Sequence, residues 1–217
     1  VLRTNSLIDP FGRRVDYLRL SVTDRCNFRC HYCMAEDMTF VPRQKLLSLE
    51  ELYDVSAAFV DLGVRKIRLT GGEPLVRRDI LKLVRALAKL PALDELTMTT
   101  NGSYLRAMSQ PLKEAGISRL NISIDSLQPE RFKALTRFGS LEDVLAGIGA
   151  VLKANFDNTK LNSVIQAGVN DDEVVDLAQF AIARGLDISF IEEMPLGEIT
   201  SHEREKTQIT SKEIRQQ

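Results

Sequence analysis

The cysteines of this 217-residue chain lie in one short run, at Cys26, Cys30 and Cys33, and the sequence contains no fourth. Zinc and iron–sulfur sites normally take four protein ligands, most often thiolates. Three thiolates therefore predict a metal site with one open position, which suits chemistry better than structural closure. A structural zinc site completed by His31, or chance clustering of buried thiols, is the alternative interpretation.

Three more polar turns follow predicted strands. Two glycines in the first of them allow close approach to a ligand. Singly, each turn is compatible with ordinary turn chemistry. All should meet the cysteine run at one edge of a sheet, where β/α folds carry their active sites. The turns are Thr70-Gly71-Gly72-Glu73-Pro74, Thr99-Thr100-Asn101-Gly102 and Ser123-Ile124-Asp125-Ser126.

Short β-like runs alternate with helical patterns along the whole chain, which predicts a parallel sheet with right-handed crossovers. The predicted strands are Tyr17–Thr23, Lys66–Thr70, Glu95–Thr99, Arg119–Ile124, Lys160–Ile165 and Ile188–Glu192. The predicted helices lie near Leu49–Leu62, Asp79–Leu90, Tyr104–Ala115, Leu141–Ala154 and Asp171–Arg184.

Several strands alternate apolar and polar residues, as in Leu18 and Leu20 against Arg19 and Ser21. One face of the sheet should therefore be covered by helices, while the other should be polar. Six units are too few for a closed eight-stranded barrel. We expect an α/β fold, a partial (βα)6 open barrel over residues 17–194. Residues 1–16 would form an N-terminal arm, and residues 195–217 would begin a C-terminal segment that is apparently truncated.

Four cations share the polar face by strand parity: Arg19, Lys66, Arg68 and Lys160. A half-buried cation is costly unless it is paired. An anionic ligand such as a polyphosphate would supply that pairing. The alternative is pairing inside the barrel with Asp125 or Glu193.

The overall composition is that of a cytoplasmic globular enzyme. Lys and Arg total 29 against 30 Asp and Glu, a net charge of −1, which argues against a general nucleic-acid binder. No apolar run predicts a membrane span or a signal peptide. Clustered free thiols fit a reducing compartment. The chain does not begin with Met and stops at Gln217 in a helix-like stretch, so we expect missing sequence, at least at the C-terminus.

The motif C-x3-C-x2-C, with an aromatic residue before its last cysteine and Gly-Gly-Glu-Pro after the second strand, resembles the radical S-adenosylmethionine superfamily. Three longer runs resemble, within it, the GTP 3′,8-cyclase family of molybdenum cofactor biosynthesis. These runs begin at Asp9, Lys66 and Phe190 and end at Cys26, Asp79 and Gly197.

The resemblance implies a four-iron, four-sulfur (4Fe-4S) cluster on Cys26, Cys30 and Cys33, whose fourth iron binds S-adenosylmethionine. It implies contacts with that cosubstrate from Tyr32, Gly72, Ser123 and Met194. It implies contacts with GTP from Arg19, Arg68, Thr99 and Lys160, to which Lys66 is added. It implies no separate catalytic side chain.

The implied reaction is a radical one. An electron cleaves S-adenosylmethionine to methionine and a deoxyadenosyl radical, which takes hydrogen from ribose C3′, and the carbon radical attacks guanine C8. An electron donor, and a homodimer as one option, are the expected partners. The family also carries a C-terminal segment with a second three-cysteine cluster that binds the guanine. A radical enzyme for another anionic substrate, or a non-catalytic metal- or nucleotide-binding fragment, are the alternatives.

Overall fold

The computed structural model describes residues 7–194 and 202–217. Six strands alternate with helices along the chain. The strands are β1 (Tyr17–Ser21), β2 (Lys66–Thr70), β3 (Glu95–Thr100), β4 (Arg119–Ser123), β5 (Lys160–Ile165) and β6 (Asp187–Glu192). The α-helices in the described ranges are α1 (Leu49–Asp61), α2 (Ile80–Leu87), α3 (Leu105–Ala115), α4 (Pro129–Thr136), α5 (Leu141–Lys153), α6 (Val174–Ile182), α7 (Arg204–Thr207) and α8 (Ser211–Ile214).

The strands form one sheet in the order β1-β2-β3-β4-β5-β6, and every neighbouring pair is parallel. Strands β1 and β6 are its two edges, so the sheet is open. The predicted α/β fold with six β–α units is therefore confirmed. The predicted strands match within two residues at each end, which is the usual uncertainty of element boundaries.

The alternating strand pattern separates two faces. The apolar members, such as Ile67, Leu69, Met98 and Ile122, are fully buried beneath the helices. Helix α1 starts where predicted because Ser48 and Glu51 form a capping box, each side chain accepting a hydrogen bond from the other's backbone N–H. The polar strand residues consequently face the open side of the sheet.

The structure contains a helix, α4, that was not predicted from the sequence. Helix α4 begins with Pro129 at its first position, followed by Glu130 in its first turn. Both residues are typical of a helix N-terminus, so a signal was present in the sequence. A second difference lies before α6, where Asp171–Glu173 form a 3-10 turn instead of the first turn of the expected α-helix.

The expected terminal segments fall partly outside the described residues, namely at 1–6 and 195–201. The described part of the N-terminal arm pairs Ile8 with Arg14 in an isolated antiparallel bridge. After the barrel, Ile209 and Ile214 pack with Ile165 and Leu177 in a small second core. Across the described ranges, no helix combines the length and apolarity that crossing a membrane requires.

Candidate functional site

The cysteine run forms a loop after β1 that is fixed to α4. Phe28 is buried and its ring meets the Phe132 ring edge-on at a centroid distance of 6.1 Å. The backbone N–H of Arg29 donates to the Thr136 carbonyl, 3.0 Å away. The helix that the sequence analysis missed is therefore a main support of the cysteine loop.

The three thiols are suited to metal binding. Burial raises the pKa of Cys26, Cys30 and Cys33 above the ordinary thiol value, so each thiol is protonated at neutral pH unless a cation replaces its proton. The Phe28 backbone N–H points at the Cys26 sulfur at 3.4 Å, a contact that stabilises a thiolate. An iron–sulfur cluster would supply the positive charge that these buried sulfurs require.

His31 lies in the same loop, but its ring is packed elsewhere. The ring centroids of His31 and His202 are 4.9 Å apart. Burial and the neighbouring His202 lower the pKa of His31. Among the residues that the structure describes, no three His, Cys, Asp or Glu side chains are gathered around one point that could hold a single metal ion. The arrangement gives no support to a structural zinc site completed by His31.

The two glycines after β2 have a structural reason that differs from the one predicted. A Cβ added to Gly71 would lie 2.5 Å from the Thr23 carbonyl oxygen, and one added to Gly72 would lie 2.4 Å from that of Arg25. The Gly72 N–H donates to Thr23 and the Glu73 N–H to Arg25, both at 2.8 Å. The glycines therefore let this turn lie directly against the start of the cysteine loop, and a ligand is not needed to explain them.

Glu73 joins the ends of β2 and β3. Its side chain, fully buried, accepts hydrogen bonds from the Thr100 hydroxyl at 2.8 Å, the Asn101 N–H at 2.7 Å and the Leu75 N–H at 3.0 Å. Burial raises the pKa of Glu73 to about 7, although these donors act to lower it.

Asn101 carries that connection onward to the cysteine loop. Its side-chain amide donates to Asn27 at 2.8 Å and lies 3.9 Å from the Cys26 sulfur. The Asn101 side-chain oxygen in turn accepts from the backbone and hydroxyl of Ser103. Asn101 was predicted only as part of a turn and Asn27 was not predicted; the available signal was an asparagine in each of the turns after β1 and β3.

Asp125 forms the matching connection on the other side of the loop. Its carboxylate accepts from the Tyr32 hydroxyl at 2.6 Å and from the Val164 N–H at 2.8 Å. Burial raises the pKa of Asp125 to about 6. Burial and the adjacent carboxylate also hold the pKa of Tyr32 well above its usual value. The Tyr32 hydroxyl is thus already engaged within the protein.

The four polar turns therefore meet at one edge of the sheet, as predicted. We call this set the rim: Tyr32, Glu73, Thr100, Asn101 and Asp125. Of the other cosubstrate candidates, Gly72 lies in the rim turn, half-buried Ser123 ends β4, and Met194 is exposed just after β6. Beside Met194, buried Glu193 accepts hydrogen bonds from Gln166 at 2.6 Å, His202 at 2.7 Å and Arg204 at 2.9 Å.

The predicted cations do share one face of the sheet. Arg19 is in register with Arg68 across β1 and β2. Thr99 is in register with Asn121, and Asn121 with Lys160, across β3, β4 and β5. We call this polar face the wall, formed by Arg19, Lys66, Arg68, Thr99, Arg119, Asn121 and Lys160.

The wall cations are only partly compensated. Lys66 lies 3.8 Å from Glu95, and Arg119 lies 3.3 Å from the same carboxylate. Among the described residues, neither Arg19, Arg68 nor Lys160 forms an ion pair. Arg68 instead donates to the Thr97 hydroxyl at 3.3 Å and covers the Tyr17 ring at 5.5 Å.

The alternative of internal pairing was therefore wrong about its partners. Asp125 accepts hydrogen bonds from the uncharged donors Tyr32 and Val164. Glu193 is bound by Gln166, His202 and Arg204. In the described part of the chain, neither carboxylate forms an ion pair with any of the four predicted cations. Glu95 is the carboxylate that Lys66 and Arg119 share. The wall keeps an excess of positive charge, as a site for an anionic ligand requires.

Two wall residues were not predicted from the sequence. Arg119 has the same strand parity as Asn121 and should have been counted with the cations. Asn121 is buried between the candidates Thr99 and Lys160, and its side-chain oxygen has no hydrogen-bond partner in the described part of the chain. A buried polar atom without a partner is costly, which marks Asn121 as a candidate for ligand contact.

Proteins of known family resemble this chain in sequence. The family model of the Radical SAM superfamily matches residues 20–181. A GTP 3′,8-cyclase of Ectopseudomonas mendocina is 64% identical over 99% of this chain and 65% of its own length. GTP 3′,8-cyclase 2 of Pseudomonas aeruginosa is 62% identical over 96% of this chain and 63% of its own length. The chain thus spans just under two thirds of these relatives.

Solved structures share the fold at low sequence identity. Streptococcus suis SuiB bound to S-adenosylmethionine superposes with a TM-score of 0.70 at 17% identity, covering 85% of this chain and 42% of SuiB. Methylornithine synthase gives a TM-score of 0.68 at 17% identity, covering 88% and 57%. Membership of the matched family implies a 4Fe-4S cluster and S-adenosylmethionine as its cosubstrate. On the family match and the cysteine loop together, this chain belongs to the radical SAM superfamily.

Proposed function

We propose that this chain is the barrel of a radical SAM GTP 3′,8-cyclase, which converts GTP to a 3′,8-cyclised dihydro-GTP in the first step of molybdenum cofactor biosynthesis. The observation that carries the proposal is the 60–64% identity to proteins of that name over nearly the whole chain. The cationic wall supports it independently, because a triphosphate is the kind of ligand that such a face recognises.

Cys26, Cys30 and Cys33 would hold the 4Fe-4S cluster, leaving one iron for the cosubstrate. When bound, the cluster supplies the electron that cleaves S-adenosylmethionine. The protein's task is to fix the cysteine loop, and the rim does this through two side-chain connections. Asn101 donates to Asn27 beside Cys26, and Asp125 accepts from Tyr32 beside Cys33.

Tyr32, Gly72, Ser123 and Met194 would bind S-adenosylmethionine along the rim. The Gly72 carbonyl has no hydrogen-bond donor among the described residues, so it is available to accept from the cosubstrate's ammonium group. The Glu73 N–H, which shares a planar peptide unit with that carbonyl, donates to the Arg25 carbonyl at 2.8 Å and so fixes the direction in which the Gly72 carbonyl points. A backbone acceptor held in this way loses little entropy on binding.

Arg19, Lys66, Arg68, Thr99 and Lys160 would bind GTP on the wall. The rows Arg19–Arg68 and Thr99–Asn121–Lys160 lie on strands β1 to β5, and the first four of these strands end in the rim. A ligand whose phosphates lie on the wall can therefore extend towards the cosubstrate. This orientation would place the ribose near the reacting group, and positioning of this kind supplies much of an enzyme's rate enhancement.

The test is anaerobic reconstitution of the natural protein with iron and sulfide, followed by incubation with reductant, S-adenosylmethionine and GTP. We expect about four irons and four sulfides on the three cysteines of this barrel, beyond those of the second cluster that the resemblance implies, together with deoxyadenosine and a cyclised nucleotide by chromatography. The matched control replaces Cys30 with Ser, which should remove the irons and sulfides of this cluster and abolish both products. One tightly held zinc ion with no sulfide would refute the cluster, while deoxyadenosine without cyclised nucleotide would refute the substrate.

A second experiment uses residues 1–217 alone. Since the guanine pocket of the resembled family lies in a C-terminal segment with its own cysteines, we expect this chain to release deoxyadenosine slowly without cyclising GTP. A chain of 217 residues that cyclises GTP as fast as the longer protein would contradict this account of guanine binding.

A further inference from the structure

A second basic site lies outside the barrel, on the solvent side of the cysteine loop. It is a cavity of about 390 Å³ between the loop, the start of α1 and the start of α2. Four arginines line it, at positions 25, 43, 77 and 78. We call it the arginine pocket. It is separate from the wall, whose cations lie on the strands.

The positive charge of this pocket is mostly uncompensated. Asp79 contributes a carboxylate to the lining, and Arg78 approaches it to 3.6 Å. Arg77 donates to the Leu47 carbonyl at 2.6 Å. In the described ranges, neither Arg25 nor Arg43 has an ion-pair partner, and the buried Nε of Arg25 has no hydrogen-bond partner. The pocket is therefore prepared for an oxyanion.

The arginine pocket is firmly connected to the cysteine loop. Arg25 directly precedes Cys26, and the Phe40 ring lies under the guanidinium groups of both Arg25 and Arg29, at 5.5 and 4.8 Å. The Val41 N–H donates to the Asp24 carboxylate at 2.6 Å. A partner seated in the pocket would thus sit on the segment that carries the first metal ligand.

The surroundings of the arginine pocket favour a protein ligand over a small anion. Met38, Val41 and Leu47, in the segment that forms one side of the pocket, are all exposed. Exposed apolar side chains beside arginines are typical of protein interfaces, whereas a site for a free anion has no use for them. The surface combines a positive cavity with apolar neighbours, next to a redox-active loop.

We propose that the arginine pocket is the docking site for an acidic protein that carries single electrons, with a carboxylate of the carrier seated among the arginines. This inference rests on the proposed function, since it assumes a cluster on the three cysteines. The carrier is oxidised by one electron and the cluster reduced by one; no covalent bond forms. Docking here would bring the carrier against the loop that holds the cluster.

The test uses the natural protein with its cluster and a charge-reversed pair, Arg43→Glu with Arg78→Glu. Both side chains are exposed, so folding should be unaffected. The matched control is Arg85→Glu with Lys89→Glu, two exposed cations near the C-terminal end of α2 that do not line the pocket. Stopped-flow measurement follows cluster reduction by a reduced acidic flavodoxin and, separately, by photoreduced deazariboflavin, a small uncharged reductant.

We expect the pocket variant to slow reduction by the flavodoxin about tenfold or more at low salt and to flatten the salt dependence, as loss of electrostatic steering does. Reduction by deazariboflavin should stay within twofold, which would show that cluster and proposed function are intact. Calorimetric binding of the flavodoxin to protein without cluster should weaken in parallel. The control variant should resemble the wild type in every measurement.

Two results would overturn the proposal. One is a flavodoxin rate and salt slope in the pocket variant equal to those of the control variant. The other is saturable binding of pyrophosphate that the pocket variant loses while carrier reduction is unchanged, because this would assign the pocket to a small oxyanion.

Discussion

The rim and the wall are built from similar polar residues, yet they differ in how those residues are satisfied. On the rim, Glu73 and Asp125 accept five hydrogen bonds between them from protein donors. On the wall, Arg19 and Lys160 have no ion-pair partner among the described residues, and the Asn121 oxygen has no donor there.

This difference separates two tasks. A polar group that is already paired holds neighbouring loops in place, whereas an unpaired one gains most from a ligand. The rim therefore serves as a scaffold for the cysteine loop, and the wall keeps the unpaired polar groups that the proposed GTP site requires. The comparison predicts that rim substitutions reduce stability and wall substitutions reduce ligand affinity.

The largest effect is expected for Asp125→Ala. It leaves the Tyr32 hydroxyl and the Val164 N–H without their partner, so the free energy of unfolding should fall by about 4 kcal/mol. Urea unfolding at neutral pH measures it. The control is Asp187→Ala, an exposed carboxylate on β6, which should change stability by less than about 0.5 kcal/mol. Equal losses of stability for the two variants would contradict the role of Asp125 in holding the cysteine loop.

The pH dependence of stability should reveal the buried rim carboxylate Glu73. Its pKa rises from 4.5 to about 7 on folding, so the folded state holds this proton more tightly than the unfolded state. The contribution to stability is complete below about pH 4.5 and is lost as pH rises towards 7, by about 3 kcal/mol. Unfolding of the protein without cluster across this range should show the decline, and Glu73→Gln should reduce it to the part that buried Asp125 contributes. If stability fell equally with pH in the wild type and in Glu73→Gln, the raised pKa of Glu73 would be contradicted. The control is Glu142→Gln, which changes an exposed carboxylate.

Lys160→Ala tests the wall. Loss of one charge-assisted bond should weaken GTP binding by about 2 kcal/mol, or roughly thirtyfold. Binding of S-adenosylmethionine and release of deoxyadenosine should change little, because those belong to the rim. Calorimetry and chromatography measure the two. Lys153→Ala, an exposed lysine on α5, is the control; a variant that loses both ligands equally would count against separate sites.

The smallest effect is expected for a matched pair of asparagines, one from each region. Asn121→Ala on the wall removes an unpartnered buried oxygen, so stability should hold within about 0.5 kcal/mol while GTP affinity falls by about 1 kcal/mol. Asn101→Ala on the rim breaks bonds to Asn27 and Ser103 and should instead lower stability by about 1–2 kcal/mol. The reverse pattern would break the comparison.

The fold and the wall could be predicted because strand parity is a local property. Alternation in Leu18–Ser21 and Lys66–Thr70 places Arg19 and Arg68 on one face whatever lies around them. The convergence of the polar turns followed in the same way from parallel strands. The cysteine spacing likewise gave the loop without any tertiary information.

The rim connections could not be predicted, since they depend on distances between loops far apart in sequence. Tyr32 and Asp125 are 93 positions apart, and nothing in either segment selects the other. The packing reason for Gly71 and Gly72 is equally non-local, because it lies in the backbone of Thr23 and Arg25. The pairing of Lys66 with Glu95, rather than with Asp125 or Glu193, required the register of β2 and β3.

The central claim is that the unpaired cations of the wall bind the triphosphate of GTP. Calorimetric titration of the protein with GTP and with guanosine, at two salt concentrations, tests it most directly. We predict that GTP binds at least about tenfold more tightly than guanosine and that this advantage shrinks as salt rises. Equal affinities for the two ligands, unaffected by salt, would contradict the account.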